Sequence, residues 1–312
     1  MAVTLNDILA ARERIRPYIH ETPVLSSEQL NRETGATLLF KCEHLQKVGA
    51  FKARGAANTV FSLSDAEAKP GVATHSSGNH GAALARAAQL RGIPAHIVVP
   101  NNAKLAKVAA IEGYGGLVIR CESSLVAREA ILKQVVSETH ATVVHPYDDE
   151  RVIAGQGTTA LEILEQVDDL DGVVLPVGGG GLLAGSSCVF KSMSDVKVYG
   201  AEPEMAGDAY RSFTSGVRVT EHIPNTIADG LQTTLGEKNF SMIRELVDNI
   251  LLVSEEEIIS AMRLIWSRLK QVVEPSSAVT LAAVIKYPQL FHNRKICLVL
   301  TGGNVDLADL PF

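Results

Sequence analysis

Short apolar runs alternate with amphipathic stretches along most of this chain, and that alternation confines it to an α/β architecture built on parallel sheets. Residues 71–75, 95–99, 117–120 and 142–144 read as strands, with helical stretches at 79–91, 103–112 and 123–139 between them. Strands resume at 172–177, 196–201, 249–253 and 295–300. Parallel strands need a crossover, and a helical crossover covers the sheet face, so this order predicts parallel sheets covered on both sides. Helix ends agree: Gly92 follows 79–91 as a C-terminal stop, and Ser254 with Glu257 makes a capping box. There is no internal repeat and no low-complexity linker. Segment 71–148 makes four strand units and reads as a smaller α/β domain, inserted into a larger one formed by 1–70 plus 149–312.

Composition narrows the functional classes. Of 312 residues, 46% are hydrophobic and 21% charged, which suits a soluble globular chain with a sizeable core. The net charge of −6 leaves no basic excess for phosphate backbones, so nucleic acid is not an expected partner. No apolar run reaches transmembrane length, and the N-terminus lacks a charged-then-apolar leader. A cytoplasmic protein is expected, with no membrane partner. Cys42, Cys121, Cys188 and Cys297 lie far apart with no CxxC pair. They are expected as small buried hydrophobes rather than zinc ligands.

Two segments carry chemistry. Val173-Val-Leu-Pro-Val177 reads as a strand; Gly178, Gly179, Gly180 and Gly181 follow, and Leu182-Leu-Ala-Gly-Ser186 opens a helix. Glycines let the backbone approach a ligand closely, and the helix N-terminus adds unpaired N–H groups and a positive dipole end. A flexible turn is the plainer alternative, but the strand-to-helix setting is the one a phosphate cup needs. No Lys-Ser/Thr follows, so it is not a P-loop, and no acidic residue clearly serves a ribose. A single phosphate fits better than a dinucleotide.

The second segment is Gln46-Lys-Val-Gly-Ala-Phe-Lys-Ala-Arg-Gly-Ala56, which follows the strand-like 37–43 and opens a helix. A lysine beside an aromatic at a glycine-framed turn can be desolvated, which lowers its pKa and makes the amine nucleophilic. Local chemistry alone leaves a surface lysine as an equal reading.

This segment resembles the Schiff-base motif of fold-type II pyridoxal-phosphate (PLP) enzymes, the tryptophan-synthase-β-like group, in the dialect of the serine racemase and serine/threonine dehydratase family. Ser76-Ser-Gly-Asn-His-Gly81, the glycine run, Thr226-Ile-Ala-Asp-Gly230 and Thr301-Gly-Gly-Asn-Val-Asp306 match in order, so the resemblance spans nearly the whole chain. It implies two parallel-sheet α/β domains with PLP in the cleft between them, and a homodimer. One departure stands out: many relatives carry Thr-Gly-Ser before the Phe-Lys pair, where this chain has Val48-Gly49-Ala50. Two hydroxyls near the cofactor are thereby missing.

The resemblance implies roles residue by residue. Lys52 holds PLP and acts as base on the substrate Cα proton; Phe51 packs near the ring; Asn79 bonds the ring hydroxyl; Gly178, Gly179, Gly180 and Gly181 take the phosphate; Thr301 faces the pyridine nitrogen. A neutral hydroxyl there does not favour ring protonation, which suits β-elimination over transamination. The loop Ser76, Ser77, Gly78, Asn79 and His80 would take the substrate α-carboxylate on its N–H groups and hydroxyls. Ser77 matches the second acid/base group of the racemases, on the cofactor face opposite Lys52. Arg128, in helix 123–139, would reach the substrate end of the small domain and bind a second carboxylate bidentately, favouring 3-hydroxyaspartate over serine. Glu202 and Asp208, with the carbonyl of Ala206, resemble the family's divalent-cation site and suit Mg²⁺ or Ca²⁺. A solvated acidic loop is the alternative there.

The expected function is a PLP-dependent dehydratase (ammonia-lyase) of L-serine, L-threonine or L-threo-3-hydroxyaspartate, giving a 2-keto acid and ammonia. The alternative is serine racemase on the same scaffold, with Lys52 and Ser77 as its two acid/base groups. A β-replacement synthase has the wrong motif dialect, and a non-enzymatic phosphate-binding protein has no use for Lys52. Since the sequence ends soon after the Thr301 motif, feedback control through a C-terminal regulatory domain is not expected.

Overall fold

The computed structural model describes residues 3–312. Its strands are β1 (Val24–Ser26), β2 (Thr37–Lys41), β3 (Val72–His75), β4 (Ala95–Pro100), β5 (Leu117–Cys121), β6 (Thr142–Val143), β7 (Gly172–Pro176), β8 (Lys197–Pro203), β9 (Asn249–Val253) and β10 (Lys295–Val299). They form a six-stranded sheet in the order β1-β2-β10-β7-β8-β9 and a four-stranded sheet in the order β5-β4-β3-β6. The β1–β2 pair is antiparallel and the other strand pairs are parallel. The parallel sheets agree with the alternation in the sequence.

The strand order decides where a ligand can go. In the small sheet the chain winds from β3 through β4 to β5, then returns to the other side of β3 as β6. In the large sheet it winds from β7 through β8 to β9 and returns beside β7 as β10. Each reversal opens a crevice at the carboxyl ends of its strands, the usual ligand position in open α/β sheets. The segments leaving β3, β6, β7 and β10 carry Ser76, Pro146, Gly178 and Thr301 respectively.

Both faces of each sheet are covered. Helices Glu255–Leu264 and Pro275–Lys286 close one core of the large sheet, which holds Phe40, Leu281 and Leu298. Helices Leu5–Ile15, Glu150–Gln166, Gly181–Met193 and Glu237–Leu246 close the other, around Ile163, Val173 and Phe190. On the small sheet, helices Lys52–Ser62 and Asn79–Arg91 bury Val60 and Leu84 against Val72 and Ile97. Helix Leu125–Thr139 buries Leu132 and Val135 on the opposite face.

Helix Glu150–Gln166 is the central strut, and glycines make it so. A Cβ on Gly155 would stand 2.6 Å from the Cα of Gly55, and one on Gly157 would stand 2.9 Å from the Gly185 carbonyl. The strut therefore touches helices Lys52–Ser62 and Gly181–Met193 backbone to backbone. Beside it lies a buried charge cluster. Arg54 donates from Nε to Glu43 at 2.7 Å and from Nη1 to Glu162 at 2.6 Å, and Lys41 Nζ donates to Glu162 at 2.6 Å. With two cations and two carboxylates sharing these bonds, each charge has a partner and the cluster tolerates its burial.

Cys42, Cys121, Cys188 and Cys297 are buried free thiols, as their spacing predicts. No helix among the described residues is long and apolar enough to cross a membrane.

Candidate active site at the two strand reversals

Lys52 is the first residue of its helix, and a short bridge places it. Ala50 pairs with Gly302, Phe51 N donates to the Thr301 carbonyl at 3.0 Å, and Gly303 N donates to the Gly49 carbonyl at 3.0 Å. The lysine segment is thus stitched to the loop after β10. Val48 and Gly49 adopt left-handed backbone, φ 59° and 69°, and the Val48 carbonyl accepts from Asn304 Nδ2 at 2.8 Å. At the variant Val48-Gly49-Ala50 stretch, main-chain bonds hold the turn.

The Lys52 amine donates to the Pro146 carbonyl at 2.7 Å and lies 5.2 Å from the Phe51 ring centroid. Desolvation pulls its pKa down to about 8, opposed by the nearby Glu274 carboxylate. Near neutrality a useful fraction of the amine is uncharged and nucleophilic.

The glycine loop closes against the 145–148 strap. A Cβ on Gly179 would fall 2.2 Å from the Tyr147 ring, and one on Gly181 would fall 2.9 Å from the Tyr147 carbonyl. Gly180 has φ 93°, which favours glycine. The Gly179 carbonyl accepts from Asn239 Nδ2 at 2.7 Å and from Gly236 N at 3.1 Å, which fixes the loop from behind. Helix Gly181–Met193 has no side-chain cap at its N-terminus. A side-chain-free cradle at an uncapped helix start fits a phosphate.

The loop after β3 is built similarly. Helix Asn79–Arg91 starts at Gly78 with no side-chain cap. Ser76 and Ser77 are half-buried, and Gly78 N lies 3.4 Å from Ser76 Oγ. His80 is buried, its Nε2 3.3 Å from the Val144 carbonyl. Burial first and the Lys52 charge second hold its pKa well below the usual imidazole range. Asn79 Nδ2 donates to both oxygens of Glu274, at 3.0 and 3.2 Å, and Asn79 Oδ1 accepts from Asn304 Nδ2 at 2.8 Å. Thr301 is buried at the end of β10, its hydroxyl 3.2 Å from Ser277 Oγ.

Arg128 lies half-buried on helix Leu125–Thr139. Its charge reaches His75, the last residue of β3, whose pKa is lowered by burial and then by Arg128. Glu202 lies near the end of β8, and Asp208 opens the helix Asp208–Ser215 that follows. Glu202 accepts from Ala209 N at 3.0 Å and Tyr210 N at 2.8 Å, while Asp208 Oδ2 accepts from Leu235 N at 2.7 Å. Asp208 Oδ1 is buried without a partner. Burial, and then repulsion from Asp208, raises Glu202 well above its usual range, and burial raises Asp208 to about 6. Ala206 is also buried. No group of three or more His, Cys, Asp or Glu side chains gathers as a metal cluster among the described residues.

Sequence reasoning passed over Glu274, Pro146, Tyr147 and Asn239. Asn304 and Asp229 lie inside quoted motifs, yet nothing marked them as contacts. A cavity of about 350 Å³ opens beside Asn79, lined by Asn79, Lys107, Tyr114 and Asn304 among others. Lys107 closes one side of it through an ion pair with Asp229.

The arrangement matches known proteins over its whole length. A family model described as "Pyridoxal-phosphate dependent enzyme" matches residues 15–302. The chain is 49% identical over 310 residues to a β-hydroxyaspartate dehydratase of Paracoccus denitrificans (strain Pd 1222), covering 99% of this chain and 98% of that one. It is 49% identical over 316 residues to a serine racemase of Dictyostelium discoideum, covering 99% and 97%. The solved structure of maize serine racemase superimposes with a TM-score of 0.97 at 44% identity, over 99% of this chain and 95% of that one. The chain therefore belongs to the pyridoxal-phosphate dependent enzymes and has their fold-type II architecture.

Proposed function

We propose that this enzyme is an ammonia-lyase, a dehydratase, of a small β-hydroxy amino acid: L-threo-3-hydroxyaspartate, L-serine or L-threonine. The observation that carries the reading is the desolvated Lys52 amine, bonded to the Pro146 carbonyl beside the Tyr147 that packs on the glycine loop, with its charge acting on His80 of the 76–80 loop. The similarity to a β-hydroxyaspartate dehydratase supports it.

Lys52, Phe51, Asn79, Thr301 and the glycines 178 to 181 are the residues to hold PLP. When bound, PLP supplies an electron sink that acidifies the substrate Cα–H. Lys52 Nζ takes the Cα proton and shields one face of the site. The N–H groups and hydroxyls of Ser76, Ser77, Gly78, Asn79 and His80 orient the α-carboxylate at the uncapped helix start. Arg128 holds a second carboxylate when the substrate has one. Thr301, a neutral hydroxyl close to Ser277, presents no carboxylate to the ring nitrogen, which suits departure of the β-hydroxyl over transamination. The products are a 2-keto acid and ammonia.

Racemisation of serine is the second reading, supported by the position of Ser77 in the 76–80 loop and the similarity to serine racemases. Lys52 and Ser77 would then exchange the Cα proton from opposite faces. The proposal includes Mg²⁺ or Ca²⁺ at Glu202, Asp208 and the Ala206 carbonyl, where the orphaned Asp208 Oδ1 fits a hard cation. It also includes a homodimer of the cytoplasm, on the family resemblance.

A keto-acid assay on L- and D-hydroxy amino acids, with chiral analysis of the unreacted pool, tests these readings. Arg128→Leu should raise KM for 3-hydroxyaspartate about tenfold or more and leave serine nearly unaffected, as expected for losing a bidentate charged contact. An equal change for both substrates removes Arg128 from the assignment.

A further inference from the structure

Glu274 sits where three sequence motifs meet, and none of the roles above uses it. It immediately precedes Pro275, the first residue of helix Pro275–Lys286, and its main-chain N donates to the Gly302 carbonyl at 3.0 Å. Its carboxylate is wedged between glycines: a Cβ on Gly302 would stand 2.6 Å from Oε1, and one on Gly230 would stand 3.7 Å away. These glycines belong to the Thr301-Gly-Gly-Asn304 and Ala228-Asp-Gly230 stretches. From the third motif, Asn79 Nδ2 reaches both carboxylate oxygens at 3.0 and 3.2 Å. Glu274 is only 4% exposed. A buried carboxylate that accepts from a neutral amide rather than a cation is costly to keep.

The geometry fixes the amide. An ionised carboxylate only accepts, so the NH₂ of Asn79 must face Glu274. Its carbonyl then faces Asn304 Nδ2, which donates at 2.8 Å and is itself anchored on the Val48 carbonyl. The two oxygens of one carboxylate subtend a narrow angle at the Asn79 nitrogen, so they share one hydrogen. The second hydrogen stays free. Asn304 favours the same orientation from the other side, and Glu274 adds the charged half of the lock.

We infer that Glu274 is a positioning residue that acts through Asn79, locking its amide so that one N–H remains available to the ring oxygen of PLP. The inference rests on the assignment of Asn79 to the cofactor. Lys52 on its helix, Asp229 on the turn Asp229–Leu231 and Lys107 on helix Leu105–Gly113 are the charged groups that act on Glu274 or on which it acts. Burial, and then Asp229, raises Glu274 to about 7, so the lock is strongest above neutral pH.

A double-mutant cycle tests it on the full chain, at a pH of about 8.5 where the carboxylate is ionised: parent, E274Q, N79A and E274Q/N79A. Equilibrium dialysis gives the PLP Kd, and the visible absorbance band of the holoenzyme reports the ring environment. Each single substitution should weaken PLP binding about tenfold or more and alter the band, the range of a charge-assisted hydrogen bond. In the N79A background, E274Q should add less than about twofold. Effects that multiply independently, or an E274Q enzyme within about twofold of the parent, overturn the inference. If N79A alone changes neither readout, the assignment of Asn79 to the cofactor fails and the inference falls with it. Retention of PLP by Lys52 is scored separately, by K52A. Should E274Q not fold, E274D carries the cycle, since it keeps the charge but withdraws it from Asn79. Parent-like PLP binding and an unchanged band in E274D overturn the inference equally.

Discussion

The Lys52 amine donates a hydrogen bond of 2.7 Å to the Pro146 carbonyl, joining the first turn of the lysine helix to the segment after β6. That bond draws a strand end of the small sheet to the residue on which the chemistry depends. The next residue, Tyr147, lies on Gly179 of the large sheet's glycine loop. One short strap therefore contacts both sheets and the amine.

PLP uptake by the apoenzyme should follow the free amine. Burial lowers the Lys52 pKa to about 8, so the neutral form grows as pH rises through that value. Stopped-flow absorbance should show uptake accelerating with a midpoint near there. Glu274 raises the Lys52 pKa, so in E274Q the midpoint should move to lower pH. K52A should lack both the borohydride-sensitive visible band and turnover. Undiminished activity in K52A would remove Lys52 from the mechanism.

Ser77→Ala should separate the two activities. Elimination needs proton removal on the Lys52 face only, whereas racemisation needs a donor on the other face. D-serine formation from L-serine should drop about 10²–10⁴-fold, the usual contribution of an acid/base group, while keto-acid formation survives in part. Solvent-deuterium incorporation with chiral product analysis reads the difference. Parent-rate D-serine formation in S77A rules out Ser77 as the second base.

Chelation should lower the thermal midpoint, and Mg²⁺ or Ca²⁺ should restore it by about 5 °C at saturation. Glu202 and Asp208 repel one another in a buried place, and Asp208 Oδ1 has no partner to lose. Asp208→Asn should abolish the response. A midpoint indifferent to chelator and cation argues against the site.

Gly179→Ala should damage cofactor binding through sterics alone. The new methyl would lie 2.2 Å from the Tyr147 ring, an overlap that forces the strap or loop to move. The expected destabilisation is about 1–3 kcal/mol, with weaker PLP retention. Adding Tyr147→Ala should recover part of the stability, measured by thermal unfolding. No recovery means the clash is not with the ring.

Much of the fold was legible because strands announce themselves as apolar runs flanked by turns. Helix Asn79–Arg91 ends where Gly92 predicts, with φ 72°, and Ser254 with Glu257 forms the expected capping box. Helix Glu150–Gln166 was not among the elements read from the sequence. Glycine weakens a helical pattern, yet Gly155 and Gly157 are what let this helix touch two others. The site divides the same way. The glycine run stands out by its strand–turn–helix setting, whereas Lys52 is singled out by the family resemblance, local chemistry alone leaving a surface lysine as an equal reading. Glu274 reads as an ordinary residue before a helical proline. Asn79 lies 195 positions from Glu274 and 225 from Asn304, so nothing local links the three. Only the strand order brings them together.

The Arg54 cluster and the Lys107–Asp229 pair differ in their access to the solution. Arg54 and Glu43 have fully buried side chains, whereas Lys107 and Asp229 are 24% and 41% exposed. Dissolved ions screen the second pair and do not reach the first. The helix that carries Lys52 is thus insulated from ionic strength, while the rim of the neighbouring cavity is not. Salt in the medium can loosen the cavity rim without disturbing the buried cluster behind the lysine helix.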